Sequence, residues 1–271
     1  MKTNYLYNEN CIDTMARMPD NFLDLTVTSP PYDNLRTYNG YSFDFESIAK
    51  ELYRVTKKGG VLVWVVGDET IKFNESGTSF KQALYFKEIG FNLLDTMIYV
   101  KQNSAPSYPK MKRYSNQFEY MFIFSKGKPN TFNPIQIRKT EGTIQRQKNK
   151  LNATFRDKEG NLKKKEIKTT SEYKNATNVF TYMTGGRNYS NSKLKKHPAI
   201  FPEQLANDHI RSWSNEGDLV YDCFMGSGTT AKMAIINKRN WIGSEMSGEY
   251  CEIIHERLKQ FDNDIFLNDN E

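Results

Sequence analysis

The sequence predicts an α/β fold built on a mostly parallel sheet, on three observations. Short β-rich runs alternate with helical patterns at both ends of the 271-residue chain. Two of the strand ends run directly into turn signals, Pro30-Pro31 in one case and a Gly-Ser-Gly turn in the other. The run Val61 to Val66 (VLVWVV) is apolar throughout, as in a strand covered on both faces.

Taken in order, Leu23 to Thr28 (LDLTVT) reads as a strand stopped by the two prolines. Phe45, Ile48, Ala49, Leu52 and Tyr53 recur at helical spacing, and Lys57-Lys58-Gly59-Gly60 reads as the stop of that helix. After the Val61 to Val66 strand come a helix from Phe80 to Ile89, ended by Gly90, and strands Leu93 to Val100 and Phe118 to Phe124. The last two are expected to pair antiparallel at a sheet edge. Between Lys126 and Lys196 the periodicity fades and no element is assigned. Patterning returns with a helix from Phe201 to Trp213 and a strand from Leu219 to Asp222. A glycine turn, a helix Thr229 to Asn237, a strand Trp241 to Glu245 and a helix Tyr250 to Leu258 complete the chain, Ile253, Ile254 and Leu258 sharing one helix face. The expected organisation is one doubly wound sheet made from residues 1–125 and 197–271, with 126–196 as an inserted variable lobe.

Charge sets that lobe apart. From Lys101 to Lys196 there are 22 Lys and Arg against 6 Asp and Glu, a net +16, whereas the remainder of the chain carries −10. A polyanion is therefore the expected partner of the middle of the chain. Runs such as Lys163-Lys164-Lys165 are also what a solvated surface looks like. No apolar run reaches membrane-spanning length, and the first thirty residues lack the layout of a signal peptide, so no membrane partner and a cytoplasmic location are expected. The three cysteines (Cys11, Cys223, Cys251) form no C-x-x-C pair and read as small buried residues, and the histidines His197, His209 and His255 lack metal-ligand spacing. No metal is expected.

Two loops have the composition for chemistry. Asp222-Cys223-Phe224-Met225-Gly226-Ser227-Gly228-Thr229-Thr230 lies between a strand and a helix, where glycines permit a sharp turn and close approach of a ligand to backbone N–H groups. It lacks the Gly-Lys-Ser/Thr ending of a phosphate-binding loop and the spacing of the dinucleotide fingerprint. The next strand ends at Glu245, 23 residues after Asp222, where an acid can accept hydrogen bonds from ribose hydroxyls. By itself this pattern is equally an ordinary strand-to-helix turn. The second loop is Ser29-Pro30-Pro31-Tyr32, in which the prolines fix carbonyl acceptors and Tyr32 offers a face for a planar ring. Alone, it is equally a rigid strand-ending turn.

Together the two loops resemble those of the DNA amino-methyltransferases of the β group. That family's catalytic motif, Ser/Asp/Asn-Pro-Pro-Tyr, matches Ser29 to Tyr32, and its cofactor loop, Asp-x-Phe-x-Gly-Ser-Gly-Thr-Thr, matches Asp222 to Thr230. Glu245 falls at the family's ribose acid, and His197-Pro198 with Phe201 to Leu205 resembles the segment that covers the methionine end of the cofactor. Catalytic loop first, basic variable region next and cofactor loop last is the order that defines the group. One departure stands before the first strand, where related sequences read Gly-Asp-Cys and this chain has Glu9-Asn10-Cys11. Asn10 offers a carbonyl oxygen to the cofactor's adenine amine, without the aspartate's charge.

The resemblance implies a Rossmann-like S-adenosylmethionine-dependent methyltransferase fold with a basic target-recognition insertion. It implies S-adenosyl-L-methionine as cofactor, with Asn10, Cys11, Ser29, His197, Pro198, Phe201, Asp222, Phe224, Gly226, Ser227, Gly228, Thr229, Thr230 and Glu245 around it, and Ser29, Pro30, Pro31 and Tyr32 as the catalytic set. The substrate is a base flipped out of double-stranded DNA, with Arg113, Arg138, Lys139, Arg146, Lys148, Lys150 and Arg187 as candidate DNA contacts. Serine at the head of the motif resembles members that methylate cytosine N4, with adenine N6 as the alternative. The reading includes a monomer or homodimer and a cognate restriction endonuclease acting on the same site. Methyltransferases of RNA or protein amides use similar loops, usually in the opposite order, and a DNA-binding relative without catalysis is a further class.

Overall fold

The computed structural model describes residues 1–31, 43–103, 112–148, 153–165, 171–183 and 201–261. The chain begins with β1 (Tyr5–Tyr7), α1 (Cys11–Ala16), β2 (Leu23–Thr28), α2 (Phe45–Val55) and β3 (Thr56–Val66). A two-residue hairpin, β4 (Thr70–Ile71) and β5 (Asn74–Glu75), precedes α3 (Thr78–Glu88), β6 (Asn92–Lys101) and β7 (Phe118–Ser125). The middle of the chain holds β8 (Gln136–Arg138), α4 (Glu141–Lys148), β9 (Ala153–Arg156), β10 (Leu162–Lys165), β11 (Tyr173–Asn175) and β12 (Val179–Tyr182). The chain then returns through α5 (Glu203–Trp213), β13 (Leu219–Asp222), α6 (Thr229–Ile236), β14 (Asn240–Ser244) and α7 (Gly248–Leu258).

Eight strands make one sheet in the order β1-β14-β13-β2-β3-β7-β6-β12, in which β7 alone runs antiparallel to its neighbours. From β2 the chain passes through α2 to β3 on one side, and from the adjacent β13 it passes through α6 to β14 on the other. The two loops that leave β2 and β13 therefore diverge and open a crevice at their carboxyl ends, where ligands bind in open α/β sheets.

Both faces of the sheet are covered, as the VLVWVV run predicts. Val61, Val63 and Val65 pack in a core with Leu205, Ala206 and Ile210 of α5, Ala231 and Ala234 of α6 and Ile254 of α7. The alternate residues Leu62, Trp64 and Val66 pack with Ile48 and Leu52 of α2 and Phe86 of α3. The indole of the buried Trp64 donates to Gln82 Oε1 at 2.8 Å, so its polar edge is satisfied inside that core.

Three expectations need correction. Lys57 to Gly60 is not a helix stop but the start of β3. The register jumps from Leu23↔Thr56 to Leu25↔Val61, and Gly59 bulges there with φ +79°. A Cβ on Gly59 would overlap the Asn130 side chain at 2.2 Å, because Lys126 O and Asn130 N both bond the Gly59 backbone. The antiparallel β6–β7 pair forms as expected but does not end the sheet: β12 pairs parallel with β6 and supplies the edge. Its four residues (VFTY) are too short for periodicity to mark and are set by pairing alone. The short elements β1 and α1 escape sequence reading for the same reason.

Residues 1–133 and 178–271 form one compact unit and 134–177 a second, narrower than the 126–196 region that composition marks. The second unit contains the β8–β11 pair, helix α4 with Ile144 buried, and the β9–β10 hairpin. No described helix is long and apolar enough to cross a membrane.

His209 lies wholly inside the first unit, its Nε2 3.3 Å from Met121 Sδ, and burial pushes its pKa down to about 3. Below its ordinary value the unfolded chain binds a proton that the folded chain refuses. Folding stability attributable to this group is therefore lost as pH falls from about 6.5 toward about 3. Denaturant titrations between pH 7 and 4 should show a shallower pH dependence for His209→Gln than for the parental chain, and identical slopes would contradict the burial argument.

Candidate active site

The crevice is closed at its base by one carboxylate. Asp222, at the end of β13, is 5% exposed; its Oδ1 accepts from Thr28 Oγ1 at 2.7 Å and Phe224 N at 3.0 Å, and its Oδ2 accepts from Thr230 Oγ1 at 2.7 Å. Thr28 is the last residue of β2 and immediately precedes Ser29, so the side chain ties the Pro-Pro loop to both ends of the Gly-Ser-Gly turn. Burial pushes the Asp222 pKa up, and the bonds from Thr28, Thr230 and Phe224 oppose that rise. Pro30 is buried, and Ser29 and Pro31 are half-buried. Tyr32 lies outside the described residues.

The glycine turn has the backbone its sequence requires. Gly226 (φ +55°) and Gly228 (φ +78°) occupy left-handed conformations, and Gly228 caps α6. Glu245, just past β14, receives Gly226 N on Oε2 at 2.8 Å and Ser247 N on Oε1 at 2.9 Å, which leaves each oxygen with further accepting capacity. Burial raises its pKa, with the Ser247 and Gly226 amides opposing. Phe224 sets its ring 6.3 Å from Trp64 and 5.7 Å from Phe43. The β1 end joins the same rim: Glu245 N donates to Tyr7 O at 3.0 Å and Asn8 Nδ2 to Glu245 O at 2.8 Å.

Asn10 has a role that the motif comparison did not foresee. Its side-chain oxygen caps α1 by accepting from Ile12 N at 2.9 Å, so part of its accepting capacity is already used. Cys11 is buried, and desolvation pushes its thiol up to about 12; Cys223 and Cys251 are also free and buried. All three fit the reading as packing residues. Among the described residues no cluster of His, Cys, Asp and Glu could hold a metal ion.

Beneath the turn lies a network that sequence reasoning missed. Arg257 of α7 has a buried guanidinium whose Nη1 donates to Ser227 O at 2.7 Å, Ser227 Oγ at 3.1 Å and Thr229 Oγ1 at 3.0 Å, while Nη2 donates to Glu203 at 2.6 Å. Glu203 also pairs with Lys232 at 2.7 Å, and Thr229 Oγ1 donates to Phe201 O at 3.2 Å. Burial favours protonation of Glu203, but the Lys232 and Arg257 bonds outweigh it and hold the pKa below the usual value. Ser227, Thr229 and Thr230 thus spend their side chains on the protein interior. The available signal was a charge on an apolar stripe: Arg257 falls one helical turn after Ile253 and Ile254. His197 and Pro198 lie outside the described residues.

The candidate DNA contacts divide. Arg138 pairs with Glu141 at 2.6 Å and Glu172 at 3.4 Å, Lys148 pairs with Glu172 at 3.6 Å, and Lys139 Nζ donates to Ser171 O at 2.6 Å. Arg113 and Arg146 are exposed. Lys150 and Arg187 lie outside the described residues.

A doubly wound sheet whose crevice joins a Pro-Pro loop to a Gly-Ser-Gly turn, with an acid at the next strand end, is a Rossmann-like methyltransferase fold. The chain belongs to the DNA methylase family, whose model matches residues 23–256. It is 55% identical over 241 residues to the orphan methyltransferase M.BamHII of Bacillus amyloliquefaciens, covering 88% of this chain and 89% of that one. It is 28% identical over 298 residues to the type II methyltransferase M.MthZI of Methanothermobacter thermautotrophicus, covering 96% and 78%. Among solved structures, the cytosine-N4-specific PvuII DNA methyltransferase matches with a TM-score of 0.70 at 21% identity, covering 100% of this chain and 89% of that one. A DNA modification methylase of Thermus thermophilus, complexed with S-adenosyl-L-methionine, matches at 0.63 and 21%, covering 94% and 93%.

Removing the Asp222 carboxylate by Asp222→Ala strands two buried hydroxyls and an amide, at an expected cost of about 3 kcal/mol or more. Asp222→Asn keeps an acceptor for Thr28 and Phe224, offers a donor to Thr230 and relieves the burial of charge, so its loss in urea unfolding should be clearly smaller. Equal losses would mean that the hydrogen bonds do not hold the loops.

Proposed function

We propose that this chain transfers the methyl group of S-adenosylmethionine to the exocyclic amine of a base flipped out of double-stranded DNA, cytosine N4 being the favoured target. The observation that carries this reading is the Asp222 clamp, which joins Thr28 to Thr230 and so brings the Ser29-Pro30-Pro31 loop against the Gly226–Gly228 turn. Membership of the DNA methylase family supports DNA as the substrate.

The residues suit the cofactor. Glu245, held by two backbone amides with accepting capacity left, is placed to receive ribose hydroxyls, and the left-handed glycines expose backbone at the head of α6. Phe224 and the Asn8 to Cys11 segment would flank the adenine. When bound, the cofactor supplies an electrophilic methyl on a sulfonium.

An exocyclic amine is a weak nucleophile because its lone pair is delocalised into the ring. Two acceptors for its N–H groups favour the tetrahedral form that frees the pair, and we assign them to the Ser29 hydroxyl and the Pro30 carbonyl. The prolines fix this loop in φ, so the acceptors need no reorganisation. Tyr32 would stack on the flipped base. Ser29 at the head of the motif favours cytosine; sequencing native DNA from cells expressing the protein distinguishes N4-methylcytosine from N6-methyladenine.

The basic middle of the chain would hold the distorted duplex through phosphate contacts, with Arg113, Arg146, Lys150 and Arg187 as candidates and Arg138, Lys139 and Lys148 first satisfying their own unit. The orphan name of the 55% identical relative favours a modification enzyme acting without a cognate restriction endonuclease. A cytoplasmic monomer or homodimer fits this role. RNA and protein-amide substrates are disfavoured by the order of the two loops.

Ser29→Ala removes one of two acceptors at the reacting centre and should lower single-turnover methylation of duplex DNA by about a hundredfold to a thousandfold, with cofactor and DNA affinity near parental. Parental rates in that variant would remove Ser29 from the mechanism. Glu245→Ala should weaken S-adenosylmethionine binding in calorimetry by about 1.5 to 3 kcal/mol; unchanged affinity with an intact fold would move the cofactor elsewhere.

A further inference from the structure

Within the second unit, β9 and β10 form a two-stranded antiparallel ribbon that joins no larger sheet and packs extensively on no other described element. Such a ribbon is marginal on its own, yet its tip is heavily determined. Asp157 Oδ1 accepts from Asn161 N at 2.8 Å and Glu159 N at 3.1 Å, its Oδ2 pairs with Lys163 at 2.9 Å, and its backbone bonds Asn161 O and Gly160 N. Arg156 Nη1 donates to Gly160 O at 2.7 Å, and Gly160 takes φ +85°. The ribbon is therefore shaped in advance but left uncovered.

What it leaves uncovered has a definite chemistry. Residues 153–165 carry five Lys and Arg against two acids. The register Leu162↔Arg156 and Lys164↔Thr154 places Thr154, Arg156, Leu162 and Lys164 on one face, opposite Phe155 and Lys163. That first face combines two cations, a hydroxyl and an apolar side chain, Leu162, which is 66% exposed. Cations and hydroxyls suit the acceptors on guanine and thymine edges, and an apolar tip suits the thymine methyl.

We propose that the β9–β10 ribbon lies in the major groove of duplex DNA, with Thr154, Arg156, Leu162 and Lys164 facing the base edges, and so takes part in choosing the sequence to be methylated. The proposal rests on the DNA methylation reading above and adds to it the element and the face that read sequence. A two-stranded ribbon fits the major groove of B-form DNA, about 12 Å wide, and not the minor groove, about 6 Å wide. The deep, narrow major groove of an RNA duplex would exclude it. Lys163, turned away and held by Asp157, contributes charge without reading bases.

The test uses the full chain and three variants, Thr154→Ala with Lys164→Ala, Leu162→Ala, and Lys163→Ala. Sites methylated in cells are mapped by native-DNA sequencing, and duplex affinity is measured at several salt concentrations with S-adenosylmethionine binding as the control for folding. The double variant is expected to bind its target about tenfold or more weakly and to relax the methylated sequence at one or more positions. Leu162→Ala should relax a thymine position, and Lys163→Ala should weaken binding to all duplexes alike and leave the methylated sequence unchanged. If the parental protein methylates DNA while both face variants keep its sequence and affinity, the ribbon assignment fails and the activity stands. Equal weakening on an RNA duplex of the same sequence would overturn the major-groove placement. A parental protein that methylates no DNA would overturn the activity reading and the ribbon with it.

Discussion

A single buried carboxylate joins parts of the chain that lie 194 residues apart. Asp222 ends one strand, Thr28 ends its neighbour, and the bond between them sets the distance between the loops that follow. Because Asp222 also receives Thr230 and Phe224, moving it would shift the head of α6 and the start of the glycine turn together. Carboxylates are rarely placed where water cannot reach them, and this one is retained with three donors arranged around it. The positions of Ser29, Pro30 and the turn are consequences of that arrangement.

The sheet topology puts the clamp where it is useful. Strands β2 and β13 come from opposite ends of the sequence and lie side by side, and their onward connections run in opposite directions. A crevice opens there for topological reasons alone. The side chains then divide the labour. Asp222, Arg257 and Glu203 point inward and hold backbone, while Glu245 and the glycines carry the surface a ligand meets. Arg257 and Asp222 grip the turn from two sides, so its conformation is held by buried charge and hydrogen bonds as well as by its glycines.

The second unit is built on a different principle. Only Ile144 among its described residues is a buried hydrophobic, and its folding draws on ion pairs such as Arg138 with Glu141 and Glu172 and on the Asp157 turn. Exposed pairs of this kind contribute little each. A surface so arranged keeps much of its positive charge available, which suits a partner that supplies the missing negative charge.

What the sequence determined by itself is the part written in local pattern. The continuous Val61 to Val66 run required a strand buried on both faces, the spacing of Ile48, Ala49 and Leu52 required a helix, and Gly226 and Gly228 required a left-handed turn, because each of these depends on residues within a few positions of one another. The two loop motifs were legible for the same reason. Tertiary structure alone decided the rest. Lys57 to Gly60 became strand instead of a helix stop because Lys126 and Asn130 bond Gly59 from far along the chain, and β12 became the sheet edge because β6 offered it a partner. Asn10 became a helix cap, and Asp222 turned out to hold the loops together from within. The roles of Asp222 and Arg257 depend on which distant groups are brought within hydrogen-bonding distance, and local spacing in a sequence carries no record of that.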